Sequence, residues 1–159
     1  MKKIRSFTIN HLLLQPGVYV SRKDPVGGTV VTTFDLRLTS PNEEPVMNTA
    51  EMHTIEHLAA TFLRNHKDYG SKTVYFGPMG CQTGFYFLFD SRRLSLAGAI
   101  ALLQQVFRQA AEFSGPMPGK SPVECGNYIN LDLETGKAVC RWYADLLDGW
   151  TEEQLSYPE

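Results

Sequence analysis

The sequence predicts an α+β fold in a single domain, residues 1–159, with an antiparallel β-sheet and helices packed on one face of it. The 159-residue length suits one domain, and 43% hydrophobic residues can build its core. One segment rich in β-branched residues and two short apolar runs are typical of strands. Three further segments have helical periodicity. The order strand, helix, hairpin, helix, helix favours helices stacked on an antiparallel sheet.

The first strand is predicted at residues 28–39, and Pro41-Asn42 ends it. A helix is expected at 48–66, because Asn48 can cap its N-terminus and Glu51 can complete a capping box. Its apolar stripe at helical spacing consists of Met52, Ile55, Ala59, Phe62 and Leu63.

The second half of the chain is predicted to hold a hairpin and two helices. Residues 72–76 and 84–90 are expected to be strands, joined by a Gly/Pro loop at 77–83. A helix at 95–113 ends at a Pro/Gly stretch, a short extended piece follows Cys125, and a last helix occupies 134–147. The apolar face of the helix at 95–113 consists of Leu96, Ile100, Leu103, Phe107 and Ala110.

Composition excludes several classes of protein. A net charge of −2 offers no electrostatic basis for binding nucleic acid or an acidic membrane surface. The most apolar stretch, residues 94–107, is too short for a membrane span, and no targeting segment is visible. Three cysteines, an odd number, argue against a disulfide scaffold. These features lead us to expect a cytoplasmic protein.

The strongest local signal is a pair of histidines, His53 and His57, with Glu56 between them. Residues four apart lie on the same helical face, so both imidazoles can reach one metal ion. Glu56 is next to the ion without having to bind it, which suits a general base. The alternative is that two histidines share this spacing by chance. We favour the metal site, because the chain has only four histidines.

The three cysteines have different expected roles. Cys125, after a Pro/Gly loop, could be the third metal ligand and leave a fourth position open, or it could be a buried structural thiol. Cys140 is spaced with the apolar residues of the last helix, so a packing role is expected. Cys81 lies in a Gly-rich loop, and a catalytic thiol and a packing thiol are equally compatible with that context. His66 is expected to be structural at a helix C-terminus.

Two families carry His-x-x-Glu-His on a helix. The inverted zincin metallopeptidases have this motif, but their chains are several times longer and use a downstream Glu as third ligand. The second match extends over most of the chain. Its motifs are Ser6-Phe7, His11, FDLR at 34–37, Pro41-Asn42, HTIEHL at 53–58, RNH at 64–66, PMGCQTGFY at 78–86 and Cys125-Gly126. With these motifs, the sequence resembles S-ribosylhomocysteine lyase, the LuxS family of autoinducer-2 synthesis.

The resemblance implies a homodimer of α+β subunits with active sites at the subunit interface. It implies one divalent metal per subunit, commonly Fe(II) and replaceable by Zn or Co, held by His53, His57 and Cys125. It makes Cys81 and Glu56 the catalytic acid/base groups. The residues that it places around the substrate are Ser6, His11 and Arg37, from the partner subunit, together with Arg64.

The implied reaction cleaves S-ribosylhomocysteine to homocysteine and 4,5-dihydroxy-2,3-pentanedione, the autoinducer-2 precursor. It would move the sugar carbonyl from C1 to C3 and then eliminate the thioether, which requires a Lewis acid and two proton-transfer groups. A metallohydrolase and a non-catalytic metal-binding domain remain alternatives. Two departures from the family pattern stand out: Tyr75-Phe76-Gly77 replaces an acidic, an apolar and a Ser residue, and Leu131 replaces a His.

Overall fold

A computed structural model describes residues 1–92 and 94–159 and confirms the α+β class. The four strands form one antiparallel sheet in the order β1-β2-β4-β3. The strands are β1 (Gly17–Val26), β2 (Thr29–Arg37), β3 (Thr73–Pro78) and β4 (Gly84–Asp90). The helices are α1 (Thr49–Arg64), α2 (Leu96–Glu112) and α3 (Leu133–Leu147).

The edge strand β1 was missed by the sequence prediction, which placed a single strand at 28–39 in this region. Its second half reads Arg-Lys-Asp-Pro, a polar run that does not alternate. Pro25 cannot donate a backbone hydrogen bond, and such a residue is tolerated at the edge of a sheet. The turn to β2 uses Gly27 in the left-handed region, at φ 56°.

The core lies between one face of the sheet and the three helices, as predicted. Alternate residues of the central strands face it, and Phe34 of β2 stacks on its partner Phe87 of β4 with ring centroids 5.9 Å apart. Phe107 of α2 meets Tyr143 of α3 edge to face at 4.7 Å. The predicted stripes of α1 and α2 are all in or against this core. The opposite face of the sheet therefore carries the alternate residues, among them Asp35 and Arg37.

Helix α1 begins as the sequence predicts. The Asn48 side chain accepts from the Glu51 backbone N–H, and the Glu51 carboxylate accepts from that of Asn48, both at 2.9 Å. A cap of this kind stabilises a helix by about 1 kcal/mol. His66 lies just past the helix end, where its Nδ1 accepts from the backbone N–H groups of Asp68 and Tyr69. Because the helix begins at Thr49, His53 lies in its second turn.

The short piece after Cys125 was predicted to be extended, and that prediction is wrong. It forms a 3₁₀ turn, Tyr128–Asn130, closed by a bond from Asn130 N–H to the carbonyl of Asn127 at 3.1 Å. Gly126 and Asn127 belong to residue types that favour turns, and the apolar run that follows them is too short to favour a strand. The turn carries Asn130 back against α1.

Across the described ranges, no helix combines the length and the apolar character needed to cross a lipid bilayer. Cys140 of α3 is fully buried in the core, as expected for a packing thiol. Burial raises its pKa to about 12, so this thiol stays protonated at neutral pH.

Candidate active site

The side chains of His53, His57 and Cys125 come together beside the N-terminal half of α1. Their potential ligand atoms all lie within 4.8 Å of one another, and within the described part of the chain no other such group of three or more exists. The Cys125 Sγ is 3.3 Å from His53 Nε2, and the two imidazole rings stand perpendicular with centroids 4.6 Å apart. Two imidazoles and one thiol fit a divalent transition-metal ion and leave a fourth position for a small molecule.

Both histidines are oriented through their second ring nitrogen. His57 Nδ1 is 2.8 Å from the carbonyl oxygen of Pro118, and His53 Nδ1 is 3.3 Å from Oδ1 of Asn130. Each Nδ1–H can donate to its oxygen, which leaves each Nε2 with a lone pair for a metal ion. This arrangement is usual around metal-binding histidines and supports His53 and His57 as ligands together with Cys125.

The loop that carries Cys125 is held by its own backbone. Cys125 N–H donates to the carbonyl of Ser121 at 3.0 Å, and Asn127 N–H points at the Cys125 sulfur from 3.4 Å. Lys120 ties the start of the loop to the carbonyl of Leu131 at 3.0 Å. The thiol is thereby presented to α1 on a short, bonded loop.

Substitution of Gly119 by alanine is expected to weaken metal binding about tenfold, the usual cost of disturbing the partner of a ligating histidine. Gly119 has φ 70°, and a Cβ there would lie 2.7 Å from His57 Nδ1, against the ring that bonds Pro118. Competition with a chromophoric chelator measures the effect. Gly149→Ala is the matched control, because Gly149 has φ 80° but no atom within 4 Å of the added Cβ. Equal affinities in both variants would contradict the prediction.

Glu56 precedes His57 on α1 and is half-buried. Among the described residues, no side-chain hydrogen bond or ion pair engages its carboxylate. The carboxylate is thus available for proton transfer next to the donor cluster, and this role stays a prediction.

The turn between β3 and β4 presents Cys81 at the surface of the single chain. Its Sγ is 3.1 Å from Thr83 Oγ1 and 3.7 Å from Arg37 Nη1. Because Thr83 Oγ1 accepts from Arg37 at 2.6 Å, its own hydrogen is free to donate to the sulfur. Partial burial raises the pKa of Cys81, but the Thr83 hydrogen bonds and the Arg37 charge outweigh it, so the pKa is below that of an ordinary thiol.

A cavity of about 310 Å³ brings Cys81 together with two other residues of the predicted site, His11 and Arg37. Its remaining walls come from Thr83 and from the loop before α1, including Glu43 and Glu44. His53, His57 and Cys125 do not line this cavity. In the single chain, the cavity that holds Cys81 is therefore not lined by the candidate metal ligands.

The model of the family described as S-ribosylhomocysteinase (LuxS) matches residues 4–154. The chain belongs to the LuxS family. It is 56% identical over 159 residues to the S-ribosylhomocysteine lyase of Clostridium acetobutylicum, with all of both chains covered. It is 57% identical to that of Clostridium beijerinckii and 52% identical to that of Desulfotalea psychrophila, each with 99% of both chains covered. The resemblance seen in the motifs is confirmed.

The other two residues expected around the substrate of a LuxS enzyme lie away from the Cys81 cavity. Ser6 lines a second cavity, of about 370 Å³, with Tyr75 and Tyr86 on the sheet face opposite the helices. Arg64 donates to the backbone carbonyls of Thr73 at 3.2 Å and of Val74 at 2.9 Å, so its guanidinium joins α1 to β3. The structure thus groups His11 and Arg37 with Cys81 and leaves Ser6 and Arg64 elsewhere.

The structure shows the surroundings of the two departures from the LuxS pattern, Tyr75-Phe76-Gly77 and Leu131. The phenol of Tyr75 lies over Gly77, in the space that a Cβ at residue 77 would fill. A serine at residue 77 would therefore have to displace the Tyr75 ring. Leu131 is 3% exposed and packs as an ordinary apolar residue, while its carbonyl holds Lys120.

Several contacts of the site were not singled out from sequence. Pro118 and Asn130 orient the histidines, and Thr83 and Asp35 surround the guanidinium of Arg37. Thr83 lies two residues from Cys81, and Asp35 lies two residues from Arg37. Alternate residues of a strand share a face, and residues this near in a turn can also meet, so this spacing could have indicated both contacts from sequence. Pro118 and Asn130 are more than 60 residues from their histidines, so no local pattern points to them.

Replacement of Thr83 by valine is expected to raise the pKa of Cys81, because the largest of the contributions that lower it comes from the Thr83 hydroxyl. The thiolate then forms at higher pH, and alkylation by iodoacetamide at neutral pH slows about threefold for each half unit of pKa. Thr73→Val is the control, since the buried Thr73 hydroxyl has no hydrogen-bond partner among the described residues. An unchanged pH profile in Thr83→Val would be the opposite result.

Proposed function

We propose that this chain is an S-ribosylhomocysteine lyase, which cleaves S-ribosylhomocysteine to homocysteine and 4,5-dihydroxy-2,3-pentanedione. The observation that carries the proposal is that a LuxS-family chain, 56% identical over its whole length to a curated lyase, holds a His53–His57–Cys125 donor cluster. Residues 1–159 would act as one metal-dependent lyase domain. Neither a peptidase nor a non-catalytic metal-binding domain finds support in the comparisons.

In this proposal, His53, His57 and Cys125 hold one divalent ion per chain, Fe(II) in the cell, with Zn or Co able to replace it. When bound there, the ion would supply a Lewis acid able to polarise the carbonyl oxygen of the ring-opened sugar. The hydrogen bonds from the Nδ1 atoms to Pro118 and Asn130 keep both imidazoles aimed at that ion. The observed separation of the donor atoms is compatible with a single shared ion.

Cys81 and Glu56 carry the protons in the proposed mechanism. Moving the carbonyl from C1 to C2 and then to C3 removes a proton from the carbon beside the carbonyl and returns one to the neighbouring carbon each time. A thiolate at Cys81 can take such a proton and give it back, and its lowered pKa makes the thiolate form more populated at a given pH than in an ordinary thiol. Glu56 would transfer protons at the sugar oxygens.

The final step is a β-elimination. With the carbonyl at C3, a base removes the proton on C4, the C4–C5 double bond forms and the C5–S bond breaks. Its electron pair leaves with sulfur, which is protonated to give homocysteine, and the remaining enol tautomerises to the pentanedione. The redox change is internal to the sugar, so no external oxidant or reductant is required.

We propose that the active enzyme is a homodimer whose sites form between subunits. The Cys81 cavity lacks the metal-binding cluster, and the N-terminal segment beside it exposes apolar side chains. These side chains include Ile4, Phe7 and Leu12, which are at least 59% exposed. A second copy would cover them and bring its cluster to Cys81, with His11 and Arg37 beside it. Substrate-binding roles for Ser6 and Arg64 stay predictions, since both lie away from that cavity in the single chain.

Mixing two inactive variants tests this arrangement. Equal amounts of Cys81→Ala and Cys125→Ala chains, unfolded together and refolded, are expected to regain about a quarter of wild-type activity, since about half of the dimers are mixed and each has one intact site. Light scattering should give twice the 17.9 kDa of one chain. A dimer without regained activity would place Cys81 and the metal in the same subunit, and a monomer would overturn the proposed assembly.

A thiol-release assay tests the function itself. Purified protein with about one metal per chain should release homocysteine from S-ribosylhomocysteine, and a chelator should stop the release until metal is returned. No thiol release from metal-loaded, folded protein would refute the proposal. Peptide cleavage that does not need Cys81 would favour a hydrolase instead.

We place the proposed enzyme in the cytoplasm, where it would serve autoinducer-2 synthesis for quorum sensing and homocysteine recycling in the activated methyl cycle. All three cysteines are free in the structure, which suits a reducing compartment.

A further inference from the structure

Tyr157, near the C-terminus, hydrogen-bonds to the ion pair formed by Asp35 and Arg37 next to Cys81. The Tyr157 hydroxyl donates to Asp35 Oδ2 at 2.7 Å, and its ring stacks on Tyr19 with centroids 5.1 Å apart. The segment is attached to β1 by a bond from Val20 N–H to the carbonyl of Leu155 at 2.8 Å. Tyr157 lies beyond residues 4–154, the part that matches the family model.

Asp35 controls the direction of the Arg37 guanidinium. The carboxylate accepts from Arg37 Nε at 2.8 Å and from Nη2 at 3.0 Å, while Asp35 and Arg37 are only 1% and 2% exposed. Such a two-point pair leaves the guanidinium little freedom. Its remaining nitrogen, Nη1, is then directed at Thr83 and Cys81.

We propose that Tyr157 is a positioning residue for the Cys81 thiolate, acting through Asp35 and Arg37. The proposal rests on the proposed role of Cys81 in the lyase reaction. The Tyr157 hydroxyl supplies the Asp35 carboxylate with a third donor in a buried setting, where a carboxylate oxygen without its donors is costly. Burial and the Asp35 charge raise the pKa of Tyr157, so its hydroxyl keeps the proton that it donates.

The charges around Cys81 determine whether its pKa rises or falls when the Tyr157 hydroxyl is removed. A hydroxyl donor draws part of the negative charge of Asp35 towards itself, so without it more of that charge acts on Arg37 and on the thiolate beyond it. The thiolate of Cys81 is then less favoured, and the pKa of Cys81 rises. The other charged or titratable groups that line the Cys81 cavity are His11, from the N-terminal segment, and Glu43 and Glu44, from the loop before α1. From β4, the Tyr86 phenol also interacts with the charges of Asp35, Arg37 and Cys81. Among the described residues, no hydrogen bond or ion pair links any of these groups to Tyr157, whose hydroxyl donates to Asp35. Removal of that hydroxyl therefore leaves their charges unchanged.

The test compares full-length, metal-loaded wild type with Tyr157→Phe, which keeps the ring on Tyr19 and removes only the hydroxyl. Iodoacetamide alkylation is followed across neutral and alkaline pH, with peptide mass spectrometry reporting Cys81 separately from the other thiols. The expected result is a pH profile displaced upwards, with alkylation at neutral pH slowed about threefold. Turnover of S-ribosylhomocysteine should lose kcat with little change in KM, because Tyr157 does not line the Cys81 cavity.

Tyr143→Phe is the matched control. It also removes a buried tyrosine hydrogen bond, from the Tyr143 hydroxyl to the Gly17 carbonyl at 2.8 Å, but it leaves the hydrogen bonds to the Asp35 carboxylate in place. An unchanged profile in Tyr157→Phe, or an equal displacement in both variants, would overturn the proposal. Alkylation needs no turnover, so a displaced profile in a protein without lyase activity would refute the proposed function and leave the positioning role standing.

Discussion

Cys81→Ala is expected to lower the turnover of S-ribosylhomocysteine at least a hundredfold while the protein keeps its metal. Positioned acid/base groups contribute factors of about a hundred to ten thousand, and the surroundings of this thiol lower its pKa. The variant removes a side chain that is exposed at the surface, so the core is unchanged. Thiol release and metal content, measured on the same sample, separate chemistry from metal loss.

Cys140→Ala is the matched control for that prediction. It also removes a thiol, but from the core between the helices, where the raised pKa keeps the group protonated and out of the reaction. We expect a modest loss of thermal stability and full turnover. If Cys81→Ala kept the activity of this control, the assignment of Cys81 as a proton carrier would be wrong.

Cys125→Ala is expected to lower metal content and turnover together, since two histidines alone hold a divalent ion much more weakly than two histidines and a thiolate. Metal-dependent thermal stabilisation should fall as well, because an ion that binds only the folded state adds its binding free energy to stability. Metal analysis and thermal melts with and without added Zn²⁺ measure these effects.

His66→Ala serves as the control for the metal prediction. This histidine lies just past the same helix and accepts two backbone hydrogen bonds, so its loss should lower stability without changing the metal content. A Cys125→Ala protein with one tightly held ion per chain would show that the third ligand is another residue.

Helix α1 could be predicted almost completely, because its determinants are local. The capping pair Asn48 and Glu51 and the apolar stripe lie within one continuous segment, and four-residue spacing places His53 and His57 side by side on any regular helix. Strand β1 was missed for the converse reason. Its polar second half is stable as a strand only because β2 pairs with it, and pairing partners are not visible in the pattern of one strand.

The histidine pair with the neighbouring Glu56, and the motifs that identify the LuxS family, were determined by the sequence itself, since helical periodicity and residue order are local properties. The tertiary structure alone decided that Cys125 meets His53, 72 residues away, and that Asn130 and Pro118 orient the two imidazoles. It also decided that Arg37, held by Asp35 and Tyr157, faces Cys81. These contacts join segments whose approach depends on the packing of the whole chain, and no local energy term in any one segment specifies its distant partner.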